Sequence, residues 1–341
     1  MLNVISDRVV MVTGGTGSIG REIVRQCLAG GARVVRIYSR DEHKQEQLSR
    51  ELSESANVRF LLGDVRDRER LWRAMEDVDI VFHAAALKHV PACENNPFEA
   101  VKTNVLGTQN VIDAALAFNA LRVVGISTDK AVSPNSTMGA TKLLAERLLL
   151  SAHLYRGKRR TTFTCVRFGN VLNSNGSVIP VVRDQILKGR PVQLTDERMT
   201  RFFLTIPRAV ELVIRAASLS EGGDTFILRM PAVRIADLLA VLVEEIAAQA
   251  GIAPPGIVAG RARPGEKLHE ALLTRDEAER AVDLGELIAI PSWWWKGETP
   301  YLGGTPVGQS VYNSAQAPYL PIAEIRRLVR SIGSGGEYCR E

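Results

Sequence analysis

Short, mostly apolar runs alternate along the first half of the chain with longer stretches whose apolar residues recur every three or four positions. Arg8–Thr13, Arg33–Tyr38, Val58–Leu62, Val78–Phe82, Val123–Ile126 and Thr162–Val166 are runs of the first kind. Their near-continuous apolar character predicts strands buried on both faces, as in a parallel sheet. Between them, Ile19, Ile23, Val24, Cys27 and Leu28 share one helical face, as do Leu143, Leu144, Leu148 and Leu149. A further helix runs from Pro97. Strand and helix in alternation predict an α/β fold, a doubly wound parallel sheet with helices on both faces. Beyond about residue 170 the pattern loosens. Val192–Thr195 reads as a short strand in a smaller C-terminal α/β domain whose pieces interleave with the last sheet strands. The expected division is 1–170, 171–332 and a flexible tail over 333–341. Repeats, low-complexity tracts and long linkers are absent from the sequence.

Composition narrows the class. The 341 residues are 45% hydrophobic and 24% charged, enough for a substantial core. Lysine and arginine number 43 against 38 acidic residues, and the mild excess is spread along the chain. It suits a small anionic ligand and gives no nucleic-acid stripe. The tightest basic run, Arg156–Arg160, falls between a helix and a strand and reads as a solvated loop. Cys27, Cys93, Cys165 and Cys339 are too far apart for metal-ligand spacing, so no metal is expected. With no signal-peptide pattern and no apolar run of membrane-spanning length, the expected location is cytoplasmic.

The first strand leads directly into Gly14-Gly15-Thr16-Gly17-Ser18-Ile19-Gly20. Gly14, Gly17 and Gly20 fit a dinucleotide fingerprint. Glycine lets backbone turn tightly and approach a pyrophosphate resting on the helix that begins near Ser18. This makes the fold Rossmann-type. The second strand ends in Ser39-Arg40-Asp41-Glu42. A serine and an arginine at that tip suit a 2′-phosphate, hence NADP, while Asp41 and Glu42 keep NAD open. The competing reading makes Ser39 a helix cap and Arg40 a surface residue. His83, ahead of Ala84-Ala85-Ala86, reads as a packed histidine and not as a general base.

Chemistry concentrates at Ser127–Lys142, STDKAVSPNSTMGATK. Ser127, Thr128, Asp129 and Lys130 arrive together at the carboxyl end of a buried strand, where open α/β sheets bind ligands. Met138 and Lys142 are four apart and share a helical face. With AALKHVPACENNPFEAVKTNVLGTQNV, RFGNVLNSNGSVIP, RMTRFFLTI and RPGEKLHE in this order, the chain closely resembles UDP-N-acetylglucosamine 4,6-dehydratases of the polysaccharide-biosynthesis branch of extended short-chain dehydrogenases. The likeness runs from about Arg8 to Leu328. Extended short-chain dehydrogenases normally carry Tyr-x-x-x-Lys where this chain has Met138 and Lys142; among the dehydratases it resembles, some members carry tyrosine there and others methionine, and the chain is similar to the soluble methionine-type members.

The resemblance implies roles. Gly14, Thr16, Gly17, Ser18, Ile19, Gly20, Ser39, Arg40, Asp64, Val65, Ala84, Ala85, Ala86, Asn104, Lys142 and Phe168 would surround the cofactor, with Asp64-Val65 at the adenine and Lys142 on the ribose. Lys88, Thr128, Asn170, Ser177, Val178, Arg201, Arg263, Glu266 and Tyr312 would surround a UDP-sugar, Arg263 clamping its diphosphate. Thr128, Asp129, Lys130, Met138 and Lys142 form the catalytic set. A thioether has no proton to exchange, so proton chemistry would fall to Thr128, Asp129 and Lys130, with Lys130 the base at C5 and Asp129 the acid for the C6 hydroxyl. A homo-oligomer and retention at C5 are further expectations. Three readings stay open: a 4,6-dehydratase, a 4-epimerase, and a non-catalytic NADP-binding regulatory protein. His269 is open between nucleotide contact and packing, and of Trp293-Trp294-Trp295 at least one should be exposed.

Overall fold

The computed structural model describes residues 4–172, 174, 178–261, 265–295, 300–301, 303–308 and 311–334, the last three of these without their side chains. Ser177, Arg263, Cys339 and most of the expected tail lie outside the described residues. The chain forms two units. The first takes Met1–Phe168, Pro207–Arg229 and Leu273–Val311, and the second takes Gly169–Ile206, Met230–Leu272 and Tyr312–Glu341. A single cut at residue 170 marks the end of the first segment only, because the chain crosses back to complete the first unit twice.

In the first unit, the opening strands are β1 (Val9–Thr13), β2 (Val34–Ser39), β3 (Val58–Leu62), β4 (Ile80–His83), β5 (Arg122–Ile126) and β6 (Thr162–Arg167). The second unit then supplies β7 (Asn170–Val171), β8 (Val192–Leu194) and β9 (Thr200–Leu204). The chain returns for β10 (Asp224–Leu228), leaves for β11 (Ala232–Arg234) and β12 (Ile257–Ala259), and ends the first unit with β13 (Val282–Asp283), β14 (Leu287–Ile290) and β15 (Thr305–Pro306). Among the described residues, ten strands form one sheet in the order β15-β13-β14-β10-β6-β5-β4-β1-β2-β3. From β3 to β10 every neighbouring pair is parallel, and β14, β13 and β15 add an antiparallel edge. The fold is the α/β, Rossmann-type parallel sheet that the apolar runs predict.

Strand order reverses between β1 and β4, which opens a crevice at their carboxyl ends. Strand four begins two residues later than the apolar run suggests. Asp77 adopts φ 57°, the Val78 amide closes a turn on Met75 O, and only then does the chain join β1. The helix from Pro97 is not uniform either: Pro97–Ala100 is α, Val101–Leu106 is a π turn, and Gly107–Ala117 is α again. The second unit has its own sheet, β11-β9-β7, and a separate pair, β12-β8. Its core joins Ile179, Val182 and Ile186 of the helix Val178–Leu187 to Leu238 and Leu242 of the helix Ile235–Ala250.

One polar cluster is built into the apolar interior of the first unit. Arg167, at the end of β6, is 2% exposed. Its Nε and Nη2 donate to Glu146 (2.9 and 2.8 Å), on the helix Thr137–Tyr155, and its Nη1 and Nη2 donate to Glu277 (both 2.9 Å). Burial opposes the charge on Arg167, but the two carboxylates outweigh it and raise its pKa. Burial likewise pushes Glu277 up, and the guanidinium overrides it, to about 2. Removing one partner of such a buried pair leaves uncompensated charge and costs about 3–5 kcal/mol. Arg167→Met, which abandons two carboxylates to each other, should lower unfolding free energy by about that much in urea titration; a loss near zero would show the cluster to be water-accessible.

Candidate active site

The glycine loop is packed where side chains cannot go. Gly14 has φ 69°, and a Cβ there would stand 2.8 Å from the Ala85 Cα. A Cβ on Gly20 would stand 2.2 Å from Gly14 O. The helix Ser18–Ala29 therefore starts hard against the end of β1, with Thr16 buried and Ser18, Ile19, Ala84, Ala85 and Ala86 partly open around the crevice. Gly17 closes the turn, its amide donating to Gly14 O (2.9 Å). Such a bare backbone cradle before a helix N-terminus fits a dinucleotide pyrophosphate.

At the tip of β2, Ser39 is buried and its Oγ accepts from Gln45 Nε2 (3.1 Å). It does not cap the following helix; Asp41 does, accepting from the Lys44 amide (3.0 Å). Arg40 is open to solvent, with only a long 3.8 Å pairing to Asp64. Asp64 accepts from the Arg66 amide (2.9 Å) and guanidinium (2.7 Å). Burial pushes its carboxyl up, but Arg66 outweighs burial and holds it below its ordinary value. Val65 is 4% exposed and its side chain belongs to the core.

A buried hydrogen-bonded chain braces the crevice floor. Thr108 Oγ1 donates to Asn104 O (2.6 Å), so it accepts from His83 Nε2 (3.0 Å), and His83 Nδ1 in turn accepts from Thr13 Oγ1 (2.7 Å). His83 is therefore neutral, its pKa pushed down to about 3 by burial and secondarily by Lys142. Asn104, in the π turn, accepts from the Leu87 amide (2.8 Å) and donates to Leu87 O and Thr141 Oγ1 (both 3.0 Å). Asn104, expected among the cofactor residues as a type that braces the floor of such a site, is 2% exposed with its side chain engaged internally, tying Leu87 to Thr141 of the Thr137–Tyr155 helix. π turns of this kind are frequent at functional sites.

At the end of β5, Asp129 is 0% exposed. Its Oδ1 accepts from Thr128 Oγ1 (2.9 Å) and from Lys130 Nζ (2.8 Å), while Oδ2 is buried with no hydrogen-bond partner. The Asp129 amide donates to Phe168 O (3.2 Å), which gives that residue's backbone its place beside the turn. Gly139 lets the next helix approach: a Cβ there would stand 2.3 Å from Lys130 O. Lys142 Nζ donates to Ile126 O (2.6 Å), and burial lowers its pKa, with Cys165 and Glu146 acting the other way. Met138 departs from the catalytic set. It is 3% exposed and packs with Cys93 and Ala100, partly covered by Leu87 and Val90, so it is a core side chain with no proton to offer.

Lys88 is exposed, ahead of the helix Val90–Asn95. In the second unit, Asn170 leaves Oδ1 buried and without a partner, and Val178 opens its helix half-buried. Two expected substrate contacts are engaged within the second unit. Arg201, 7% exposed, donates to Thr200 O (2.7 Å), Leu268 O (3.1 Å) and Lys267 O (2.8 Å), with Glu266 3.9 Å away. The Tyr312 hydroxyl donates to Met230 O (2.7 Å) and accepts from Met230 N (2.8 Å). His269 hydrogen-bonds Thr200 (2.8 Å). In the first unit, Trp293 and Trp295 are exposed, 70% and 43%, and Trp294 stacks on His153. Glu146, Arg167 and Glu277 had drawn no functional reading; the available signals were a glutamate inside an apolar helix and an arginine closing an apolar strand.

Residues 10–292 match the polysaccharide biosynthesis protein family. The chain belongs to that family, and its fold is that of extended short-chain dehydrogenases. A Methanocaldococcus jannaschii relative described as an uncharacterized membrane protein is 48% identical over 334 residues, 97% of each chain. The inverting UDP-N-acetylglucosamine 4,6-dehydratase of Campylobacter jejuni is 39% identical over 82% of each. A UDP-glucose 4-epimerase of Rickettsia canadensis is 40% identical over 84% of this chain and 83% of its own. Among solved structures, Pen from Bacillus thuringiensis superposes with TM-score 0.89 at 42% identity, covering 96% of this chain and 98% of that one. No helix among the described residues is long and apolar enough to cross a membrane.

The neutral histidine makes stability depend on pH. Its folded pKa of about 3 lies below the ordinary 6.5, so the stabilisation is complete above 6.5 and is lost progressively as pH falls toward 3. Urea midpoints at about pH 7.5 and about pH 5 should fall more in the wild type than in His83→Gln. Equal falls would mean that His83 protonates freely in the folded state.

Proposed function

We propose that this chain is a nucleotide-sugar 4,6-dehydratase that converts UDP-N-acetylglucosamine to a UDP-4-keto-6-deoxy-hexosamine, as a carbon–oxygen lyase of polysaccharide biosynthesis. The observation that carries the reading is the Lys130 Nζ–Asp129 Oδ1 contact of 2.8 Å, beside an Asp129 Oδ2 that is buried and unpartnered. One proton on that pair serves both tasks. As an ion pair it sits on Lys130; passed across 2.8 Å, it leaves a neutral amine to take the C5 proton and a carboxylic acid to protonate the departing C6 hydroxyl. A nicotinamide dinucleotide, when bound, would supply the redox chemistry as hydride acceptor toward C4 and hydride donor toward C6.

Thr128 completes the proton route. Its hydroxyl donates to Asp129 Oδ1 (2.9 Å), so its lone pairs can accept from the C4 hydroxyl, whose proton leaves through Thr128 to solvent because Asp129 already holds the proton of the pair; a solvent proton restores the pair after C5 is reprotonated. This replaces the missing tyrosine, whose position Met138 has turned into core. Gly14, Gly17 and Gly20 would hold the pyrophosphate, Lys142 the nicotinamide ribose, and Arg40 a 2′-phosphate, which makes NADP the proposed cofactor. Asn170 and Lys88 are the proposed sugar-nucleotide contacts among the described residues. Arg263 is proposed as the diphosphate clamp on the family resemblance alone. A 4-epimerase is the second reading, supported by the name of the 40%-identical relative; such an enzyme keeps the C6 hydroxyl and needs no acid–base pair at C5 and C6. For C5, the sequence reading favours retention, whereas the name of the 39%-identical dehydratase favours inversion.

Proton NMR with substrate deuterated at C4 tests the reaction. The deuterium should reappear at C6 of a product lighter by one water, and in heavy water C5 should gain solvent deuterium; the C5 couplings report its configuration. Lys130→Ala and Asp129→Asn should each abolish loss of the C6 hydroxyl. A product that keeps its C6 oxygen would replace the dehydratase reading with the epimerase.

Cofactor choice is separately testable. Arg40→Ala should weaken NADP binding roughly ten- to a hundredfold, the loss of a charge-assisted contact, and leave NAD binding unchanged. Extraction of NAD alone from the denatured native protein would overturn the NADP assignment.

A further inference from the structure

The Thr128–Lys130 turn is anchored through its neighbour. Ser127 is 5% exposed and its Oγ donates to Glu146 Oε1. Glu146, itself 2% exposed, has both oxygens on Arg167. The far edge of that guanidinium receives Glu277, 110 residues further along, with a bidentate pair of 2.9 Å bonds. Glu277 is in turn set by a capping box: its carboxylate accepts from the Thr274 amide and hydroxyl (both 3.0 Å), and its own amide donates back to Thr274 Oγ1. A single buried guanidinium thus lies between two carboxylates, and only one of them touches the turn.

We infer that Glu277 is a positioning residue for the Asp129–Lys130 pair, acting through Arg167, Glu146 and Ser127. An arginine shared by two carboxylates sits where their pulls balance. Neutralising Glu277 lets Arg167 shift toward Glu146 and compete for the oxygen that Ser127 uses, and the Ser127 bond weakens or moves. Thr128, Asp129 and Lys130 follow Ser127 directly in the chain, so the geometry between acid and base changes with it. None of these four side chains touches substrate in this scheme. The inference rests on reading the Asp129–Lys130 pair as the dehydratase acid and base.

The test compares cofactor-loaded full-length wild type, Ser127→Ala, Glu277→Gln and the double variant. Ser127→Ala cuts the link while leaving all three buried charges paired, so it keeps the question open to measurement where a charge variant folds poorly. Each single variant should lose roughly ten- to a hundredfold in kcat, the scale of a small misplacement of reacting groups, with KM for the UDP-sugar essentially unchanged. The double variant should be no slower than the worse single one, since both cut the same chain of contacts. Ser127→Thr, which restores the hydroxyl, should recover kcat. In hydrogen exchange, Glu277→Gln should speed the peptide covering 127–132 by more than it speeds β1, where any change follows global stability alone. Multiplying losses in the double variant, or exchange over 127–132 raised no more than in β1, would overturn the inference. Should the wild type fail to dehydrate the sugar, the functional reading falls, and the exchange comparison still decides the positioning role by itself.

Discussion

The buried guanidinium of Arg167 is the contact on which the first unit depends most. Its strand, β6, lies inside the parallel sheet, and its two carboxylate partners come from the Thr137–Tyr155 helix and from a segment that returns more than a hundred residues later. Apolar packing alone is tolerant of small slides between elements, because dispersion contacts have little directional preference. A bidentate arginine–carboxylate fork is not tolerant, since its planar geometry fixes both distance and angle. With forks on both edges, Arg167 registers strand, helix and returning segment against one another. Desolvation makes this arrangement costly to break, since any one missing partner strands a charge in the interior.

The same economy governs the crevice between β1 and β4. Its floor is a line of hydroxyl, imidazole and amide groups, Thr13, His83, Thr108 and Asn104, each buried and each satisfied by the next. A π turn offers its side chains at a different angle from the α-helix around it, and this one brings Asn104 onto both polar atoms of the Leu87 backbone. Rigid support of this kind lets a reactive turn stay partly unsatisfied. Asp129 Oδ2 is one of several buried side-chain atoms without a hydrogen-bond partner among the described residues, and it is the carboxylate oxygen that stands at the carboxyl end of a central strand, where chemistry is expected.

Loss of the family's tyrosine follows the same physical logic. A phenol at position 138 needs a polar partner or open space, whereas the described surroundings are Cys93, Ala100, Leu87 and Val90. Methionine fills such an irregular apolar gap well. The proposed proton route would then rest on three consecutive residues whose spacing is set by one short 3-10 turn, Asp129–Ala131, capped by Thr128. Gly139 allows the Lys142 helix to lie against that turn without pushing it aside.

From the sequence alone came the strands of the parallel sheet, the glycine loop, the family and the Thr128-Asp129-Lys130 constellation. These are local: a buried parallel strand must be apolar throughout, a pyrophosphate cradle must lack side chains, and adjacent residues stay adjacent in any fold. The sequence was silent or misleading wherever a side chain's meaning depends on what another part of the chain brings to it. Arg201 and Tyr312 are expected ligand contacts by family resemblance alone, and only folding shows the backbone carbonyls and amide that engage them. Met138 sits at a catalytic position in the pattern, and only its packing reveals a core residue. Glu277 carries no local signal, because its importance comes from an arginine 110 residues away. Two thin returns of the chain, too short to look like domains, complete the first unit's sheet. Periodicity records how a segment meets solvent and core in general; which groups meet each other is decided only when the chain closes on itself.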